Sequence, residues 1–156
     1  SQISSHYLCL KSKIMKFFLY AVLLLLSLNV TAQNWQNNLE EAQSLAKEEG
    51  KQILLVFSGS DWCAPCIKLE KKIWSSQSFQ DHAENNLVLL RADFPRLKKN
   101  KPSKEQQDHN KELAKKYNNK GYFPFVVLMN ANGKVLNQLG YKNVDPQAYI
   151  KSINAY

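Results

Sequence analysis

Residues 53–66 read ILLVFSGSDWCAPC, and the fold predicted for the rest of the chain depends on this stretch. Residues 53–57 form an apolar run whose length and β-branched content are typical of a buried strand. Ser-Gly-Ser-Asp then interrupts the run as a loop. Beyond the two cysteines, apolar residues recur at helical spacing as far as Trp74. The pattern predicts a strand that delivers Cys63 and Cys66 to the first turn of a helix.

That position gives the two cysteines different roles. The start of a helix favours an anion, because its first backbone N–H groups lack partners and the helix dipole is positive there. We therefore expect a lowered pKa for Cys63, the N-terminal of the two thiols, which makes it the attacking nucleophile. Cys66 lies three residues on, on the same helix face, and can close a disulfide with it. Pro65 suits the first turn, where a residue needs no N–H partner.

Two motifs together resemble the thioredoxin superfamily. The first is the apolar strand followed by Trp62 and Cys-Ala-Pro-Cys, and the second is Gly-Tyr-Phe-Pro-Phe at residues 121–125, similar to that family's cis-proline loop. The resemblance covers residues 35–156. It implies an α/β fold, a thioredoxin-like three-layer sandwich with a mixed central β-sheet flanked by helices, and the activity of a thiol–disulfide oxidoreductase. The stretch SGSDWC is most similar to exported thioredoxin-like proteins and to the C-terminal thioredoxin-like domain of DsbD.

The resemblance also implies which residues meet the substrate. Pro124 would be the cis-proline, and it would place the backbone of Phe123 beside the sulfurs. That backbone could then hydrogen-bond an extended substrate segment by β-augmentation. Trp62 would shield the cysteine pair and contact the partner, with simple packing as the alternative, and Ala64 and Pro65 would face the substrate between the cysteines.

The chain departs from thioredoxin beneath the cysteines. Thioredoxin has a buried Asp on the strand before its cysteines and a Lys on the neighbouring strand, whereas this chain has Val56 or Phe57, and Leu89. The usual proton acceptor for Cys66 is therefore missing. The candidate substitutes, acting through water, are Asp61, Glu70 and Asp93.

Two rival functions remain open at this point, a CxxC metal-binding protein and a redox-inactive interaction module. A structural zinc site needs four ligands, and CxxC supplies two. The sequence holds no second CxxC and no HxxxH, and we expect His82 and His109 to lie on the surface. We therefore predict no metal and no cofactor other than the redox-active Cys63–Cys66 disulfide.

The beginning of the chain is typical of a secretory signal peptide, predicted over residues 1–32. It has a charged start at Met15, an apolar run at residues 17–28 and a small-residue cleavage site ending at Ala32. An uncleaved membrane anchor is the alternative, but the run is shorter than the ~20 residues that span a bilayer. Residues 1–14 suggest an over-extended gene start.

After cleavage, residues 33–156 would form one thioredoxin-like domain. Both cysteines that remain belong to the CxxC, which indicates exchange rather than a disulfide scaffold. The predicted location is periplasmic or secreted, without stable membrane insertion. The expected partners of this monomer are protein thiol or disulfide substrates and a redox partner protein.

The mature chain has 18 basic and 13 acidic residues, a net charge of +5. Six of the basic residues lie in residues 91–104, against the single acid Asp93. The segment is interpreted either as a solvated loop or as a docking patch for an acidic partner. Nucleic acid is not expected as a partner, because export argues against it.

The dipeptide between the cysteines bears on the direction of exchange. Ala-Pro is closer to the Gly-Pro of reducing thioredoxins than to the Pro-His of the strong periplasmic oxidant. Without a His there, the Cys63 thiolate is less stabilised, which makes the protein a poorer oxidant. Lys68, near the helix start, would stabilise the thiolate and so favour an oxidant, but we predict a reductant.

The remaining elements follow from periodicity, caps and turn residues. The predicted helices span residues 35–49, 63–74, 79–84, 104–117 and 145–154, and the predicted strands span residues 53–57, 87–92, 125–129 and 134–139.

Overall fold

The computed structural model describes residues 33–156, so the predicted leader at residues 1–32 lies outside the described part. The strands are β1 Trp35–Gln36, β2 Gln52–Ser58, β3 Leu87–Asp93, β4 Phe125–Met129 and β5 Val135–Leu139. The helices are α1 Leu39–Glu49, α2 Ala64–Leu69, α3 Gln77–Asn86, α4 Lys104–Tyr117 and α5 Pro146–Ile153. A π-helical segment, Glu70–Trp74, continues α2, and a 3₁₀ turn, Lys98–Asn100, precedes α4.

The five strands form one sheet in the order β1-β3-β2-β4-β5. Strands β1 and β2 run parallel to β3, while β4 is antiparallel to β2 and β5. The predicted mixed sheet flanked by helices is confirmed. The two cysteines follow soon after β2, which is the central strand of the sheet and pairs with β3 on one side and β4 on the other. Their position therefore depends on a strand that is hydrogen-bonded along both edges.

Each face of the sheet carries its own hydrophobic core. Leu54 and Val56 of β2 point into a cluster that includes Trp74 and Tyr149. Ile53, Leu55 and Phe57 of β2 point to the opposite face, into a second cluster that is packed by α1 and α4. Because β2 is buried on both faces, its apolar residues form a continuous run rather than an alternating one.

The first helix begins later than predicted. Trp35 belongs to the edge strand β1 and pairs with Leu89 of β3, so its prediction as a helical residue is wrong. The helix starts after Asn38, whose side chain accepts a hydrogen bond from the backbone N–H of Glu41 at 3.0 Å. A cap at this position ends the extended segment and satisfies a helix donor.

Other boundaries differ by a few residues. Helix α3 is longer than the predicted 79–84, because Ser76 caps it by accepting a bond from the backbone N–H of Phe79 at 3.3 Å. Helix α5 begins as predicted, with Asp145 as the cap and Pro146 in the first turn.

Candidate active site

The two cysteines lie at the start of α2, as the sequence predicts. Cys63 is the N-cap residue, and its Sγ accepts a hydrogen bond from the backbone N–H of Cys66 at 3.3 Å. The sulfurs are joined in a disulfide, with the two Cα atoms 5.2 Å apart. Each cysteine is only 4% exposed. A partner must therefore approach Cys63 closely, and the side chains around it decide which partners can do so.

Trp62 packs tightly against three parts of the chain. Its indole Nε1 donates a hydrogen bond to the backbone carbonyl of Phe94 at 2.8 Å. Its ring meets the edge of the Phe123 ring at a centroid distance of 5.4 Å, and the Arg96 guanidinium lies 4.0 Å from its centroid. Gly59 lies so close that a Cβ there would be 2.3 Å from the indole. The indole is half-buried and held in one orientation beside Cys63.

Asp61 joins the active-site loop to the segment after β3. Its carboxylate accepts hydrogen bonds from the backbone N–H groups of Arg96 at 2.9 Å and Leu97 at 3.0 Å, and from the Asn100 side chain at 2.9 Å. These bonds stabilise the ionised form, so the pKa of Asp61 is lowered, with the Arg96 N–H as the largest cause. The sequence did not predict this role.

Asp93, the last residue of β3, makes a second link to the active-site loop. Its carboxylate accepts hydrogen bonds from the backbone N–H of Ser60 at 2.9 Å and from the Ser60 hydroxyl at 2.5 Å. With the Asp61 and Trp62 bonds, this link makes the segment after β3 one wall of the active site.

The second landmark of the sequence lies against Trp62. The Phe123–Pro124 peptide bond is cis, and the Phe123 ring also packs edge-on against Phe94 at 5.5 Å. Asn118 holds the loop from the other side. Its amide donates to the carbonyl of Tyr122 at 2.9 Å and accepts from the Tyr122 N–H at 3.0 Å. Asn118 was missed, because nothing in the local sequence distinguishes it from other residues at a helix end.

No carboxylate lies on the strand beneath the cysteines. Residues 53–57 of β2 are all apolar and buried, and Leu89 of β3 is buried as well. The three candidate substitutes are engaged elsewhere, since Asp61 and Asp93 accept the bonds described above. Glu70 forms an ion pair with Arg91 at 2.7 Å. The departure from thioredoxin is therefore a real feature of the site.

Both histidines are partly exposed and also have structural contacts. His109 Nε2 accepts a hydrogen bond from the backbone N–H of Leu39, at the start of α1, at 3.2 Å. Burial lowers the pKa of His82, which lies within 3.5 Å of Asn154. Within residues 33–156, no group of three or more His, Cys, Asp or Glu side chains is placed to hold a metal ion.

The fold and the paired cysteines define a thiol–disulfide oxidoreductase, and the chain belongs to the thioredoxin-like family, whose model matches residues 34–131. The predicted membership of the thioredoxin superfamily is thus confirmed. The structure joins Cys63 and Cys66, the pair that the sequence places at the helix start, in a disulfide.

Individual relatives agree with this class. The chain is 35% identical over 127 residues to "Disulfide bond reductase DsbH" of Chlamydia pneumoniae, covering 81% of this chain and 75% of that protein. A solved structure called "DsbH Oxidoreductase" has a TM-score of 0.74 and 32% identity, covering 83% of this chain and 87% of that one. "Thioredoxin-related protein DsbJ" of the same organism is 27% identical over 107 residues, which is 68% of this chain and 30% of that protein.

Proposed function

We propose that this protein is a disulfide reductase of the cell envelope, passing electrons from a redox partner to disulfide-bonded proteins. The observation that carries the direction is the 35% identity to a protein named as a disulfide bond reductase. The Ala-Pro dipeptide and the lack of a His between the cysteines support the same direction.

The proposed reaction begins with the reduced pair. The Cys63 thiolate attacks one sulfur of the substrate disulfide, which breaks as the Cys63–substrate bond forms. The other substrate sulfur leaves as a thiolate and takes a proton from solvent. Cys66 then loses its proton, and its thiolate attacks Cys63 Sγ. This step closes the Cys63–Cys66 disulfide and releases the second substrate thiol, so two electrons have passed to the substrate.

The proposed substrate surface surrounds the cysteines. Trp62, Ala64 and Pro65 would contact the partner on the helix side. Opposite them, the backbone of Phe123, next to Pro124, would bind an extended segment of the partner by main-chain hydrogen bonds. The contact of 5.4 Å between the Phe123 and Trp62 rings supports one continuous surface.

A reductant in an oxidising compartment needs an electron donor. The segment 96–104 is the candidate docking surface for that redox partner, because it begins within the active-site wall and carries five basic residues and no acid. We propose that the protein acts as a monomer and uses no cofactor beyond its cysteine pair.

The proposed location rests on the signal peptide predicted at residues 1–32. Sequencing the N-terminus of the exported protein should find Gln33 first. Retention of the leader in the mature protein would contradict the cleavage. Among the described residues 33–156, no helix has the length and apolar character needed to cross a membrane.

Mutation of each cysteine tests the mechanism. Cys63→Ser should abolish reduction of a protein disulfide, because it removes the attacking sulfur. Cys66→Ser should still attack but should accumulate the mixed disulfide, because nothing resolves it, and mass spectrometry would detect that adduct. Undiminished activity of Cys63→Ser would overturn the mechanism.

Equilibrium titration against dithiothreitol or glutathione tests the direction. We expect a potential near about −270 mV, the value typical of thioredoxin. A potential near about −120 mV, with the cysteines fully oxidised in growing cells, would make the protein an oxidant.

A further inference from the structure

The Arg96 guanidinium is fixed beside the reactive cysteine by both its backbone and its side chain. Its backbone N–H donates to the Asp61 carboxylate at 2.9 Å. Its guanidinium lies 4.0 Å from the ring centroid of Trp62, the residue directly before Cys63. Stacking on an aromatic face favours Arg over Lys and leaves the N–H donors at the rim of the group available. The charge is therefore held in one place rather than moving freely in solvent.

The guanidinium of Arg96 has hydrogen-bonding capacity that no other described residue uses. Within residues 33–156, no side-chain hydrogen bond or ion pair involves it, and the residue is exposed. The carboxylates of the two adjoining segments, Asp61 and Asp93, are already engaged by other donors. A guanidinium presents five N–H donors in a planar fork that matches a carboxylate. This group can therefore take a carboxylate from another molecule.

The surroundings of Arg96 favour an acidic ligand. Residues 94–103 contain four basic residues and no acidic one, and Lys98, Lys99 and Lys101 are all exposed. A cluster of one sign of charge raises the rate at which oppositely charged partners arrive. The lysines would attract an acidic partner, while only Arg96 is stacked against the active-site Trp62.

We propose that Arg96 is a specificity-determining residue that binds a carboxylate of the substrate protein, carried by an Asp or Glu near the cysteine that Cys63 attacks. Asp61 is a positioning residue, since it acts by holding the backbone of Arg96. The inference rests on exchange through Cys63 and names the chemistry of the substrates of that site.

The test uses three disulfide-containing peptides that differ only in the residues beside the reactive cysteine, which are Glu, Gln or Lys. In a Cys66→Ser background, the rate of mixed-disulfide formation is followed by mass spectrometry. The mixed disulfide forms whichever direction the enzyme works in, so the result does not depend on its being a reductant. If the protein is not a reductant, the redox titration would show it separately.

We expect the Glu peptide to react faster than the Lys peptide, and Arg96→Gln to reduce the ratio of the two rates about tenfold, as for loss of one charge-assisted hydrogen bond. Arg96→Lys should restore part of the ratio, because it keeps the charge without the fork. Asp61→Asn should reduce the ratio less than Arg96→Gln does, and added salt should weaken the preference.

Lys115→Gln is the matched control, because Lys115 is an exposed cation in the last turn of α4 and should leave the ratio as it is. A ratio that does not change in Arg96→Gln, or a wild-type protein that does not distinguish Glu from Lys, would overturn the proposal. Equal slowing of all three peptides in Arg96→Gln would also overturn it, by showing that Arg96 only supports Trp62.

Discussion

Gly59 and Trp62 are in such close contact that the indole can hold its position only because residue 59 has no side chain. A Cβ at residue 59 would lie 2.3 Å from the indole Cε2, and the indole is held in place by Phe94 and Phe123. We expect Gly59→Ala to lower the free energy of unfolding by about 1–3 kcal/mol, as overpacking does. It should also slow exchange, because Trp62 must move from its place beside Cys63.

Gly140→Ala is the matched control for this substitution. A Cβ there would come no closer than 3.7 Å to another atom, the carbonyl oxygen of Pro124, which is an ordinary contact. Urea unfolding should show a change of no more than about 0.5 kcal/mol for Gly140→Ala. Equal stability losses in the two variants would contradict the close packing of Trp62 on Gly59.

The hydrogen bonds to Asp61 make an acid-sensitive contribution to stability. The pKa of this carboxyl lies below 3.8 in the folded protein, because the N–H groups of Arg96 and Leu97 and the amide of Asn100 stabilise its ionised form. A carboxyl with a depressed folded pKa contributes stability that is fully present above the unfolded pKa. That stability is lost as pH falls through the folded pKa.

We therefore expect wild type to exceed Asp61→Asn in stability by a constant amount at neutral pH. The difference should shrink once pH falls below 3.8. Urea unfolding of both proteins across this pH range measures it. Curves that stay parallel to the lowest pH at which both fold would contradict the lowered pKa of Asp61 and the acid-sensitive contribution of its bonds.

The loop between α4 and β4 depends on one buried amide. Asn118 makes two hydrogen bonds to the backbone of Tyr122, and it is only 4% exposed. Asn118→Ala should lower the free energy of unfolding by about 1–3 kcal/mol, because the partner groups are left without bonds. It should also slow exchange, since the same loop carries Phe123. Urea unfolding and a disulfide-reduction assay measure the two effects.

Asn85→Ala tests whether the effect belongs to this loop. Asn85 also donates a side-chain hydrogen bond to a backbone carbonyl, that of Asp81 at 2.8 Å, but it is exposed on α3. Its removal should change stability by no more than about 0.5 kcal/mol and leave exchange unaltered. If Asn118→Ala behaved in the same way, Asn118 would have no role in holding the loop.

For individual helices and strands, the sequence predicts those elements that depend on residues close together along the chain. The strand β2, the helix start at Cys63 and the cap at Asp145 are all visible within a few residues of sequence. The edge strand β1 was missed because Trp35 has helical spacing to the residues after it, whereas its pairing partner, Leu89, is far along the chain. The π-helical segment Glu70–Trp74 likewise has no local sequence marker.

The whole fold was predictable, but the active-site wall was not. Two motifs far apart in sequence, the CxxC and the Phe-Pro loop, are sufficient to indicate a thioredoxin-like sandwich. The bonds that bring the segment after β3 onto the site join residues 32 to 39 positions apart, such as Asp61 and Asn100. Asp and Asn side chains form such bonds in many loops, so composition alone cannot identify their partners.

The stability of the whole molecule should depend on its redox state. A disulfide with a low potential is one that the folded protein stabilises, whereas a strong oxidant is more stable when reduced. If the protein is a reductant, the oxidised form should unfold at higher urea concentration than the reduced form. Parallel unfolding curves with and without dithiothreitol measure this difference. Greater stability of the reduced form would contradict the proposed direction.

The apolar floor beneath the cysteines has a consequence for the lifetime of covalent intermediates. Without a carboxylate on β2, the proton of Cys66 must leave to water, and a positioned base typically contributes 10²–10⁴-fold to such a transfer. We expect the adduct between Cys63 and its partner to persist longer than in an enzyme with a built-in base, most of all in mildly acidic surroundings. Partners could then be isolated still attached to the unmutated protein.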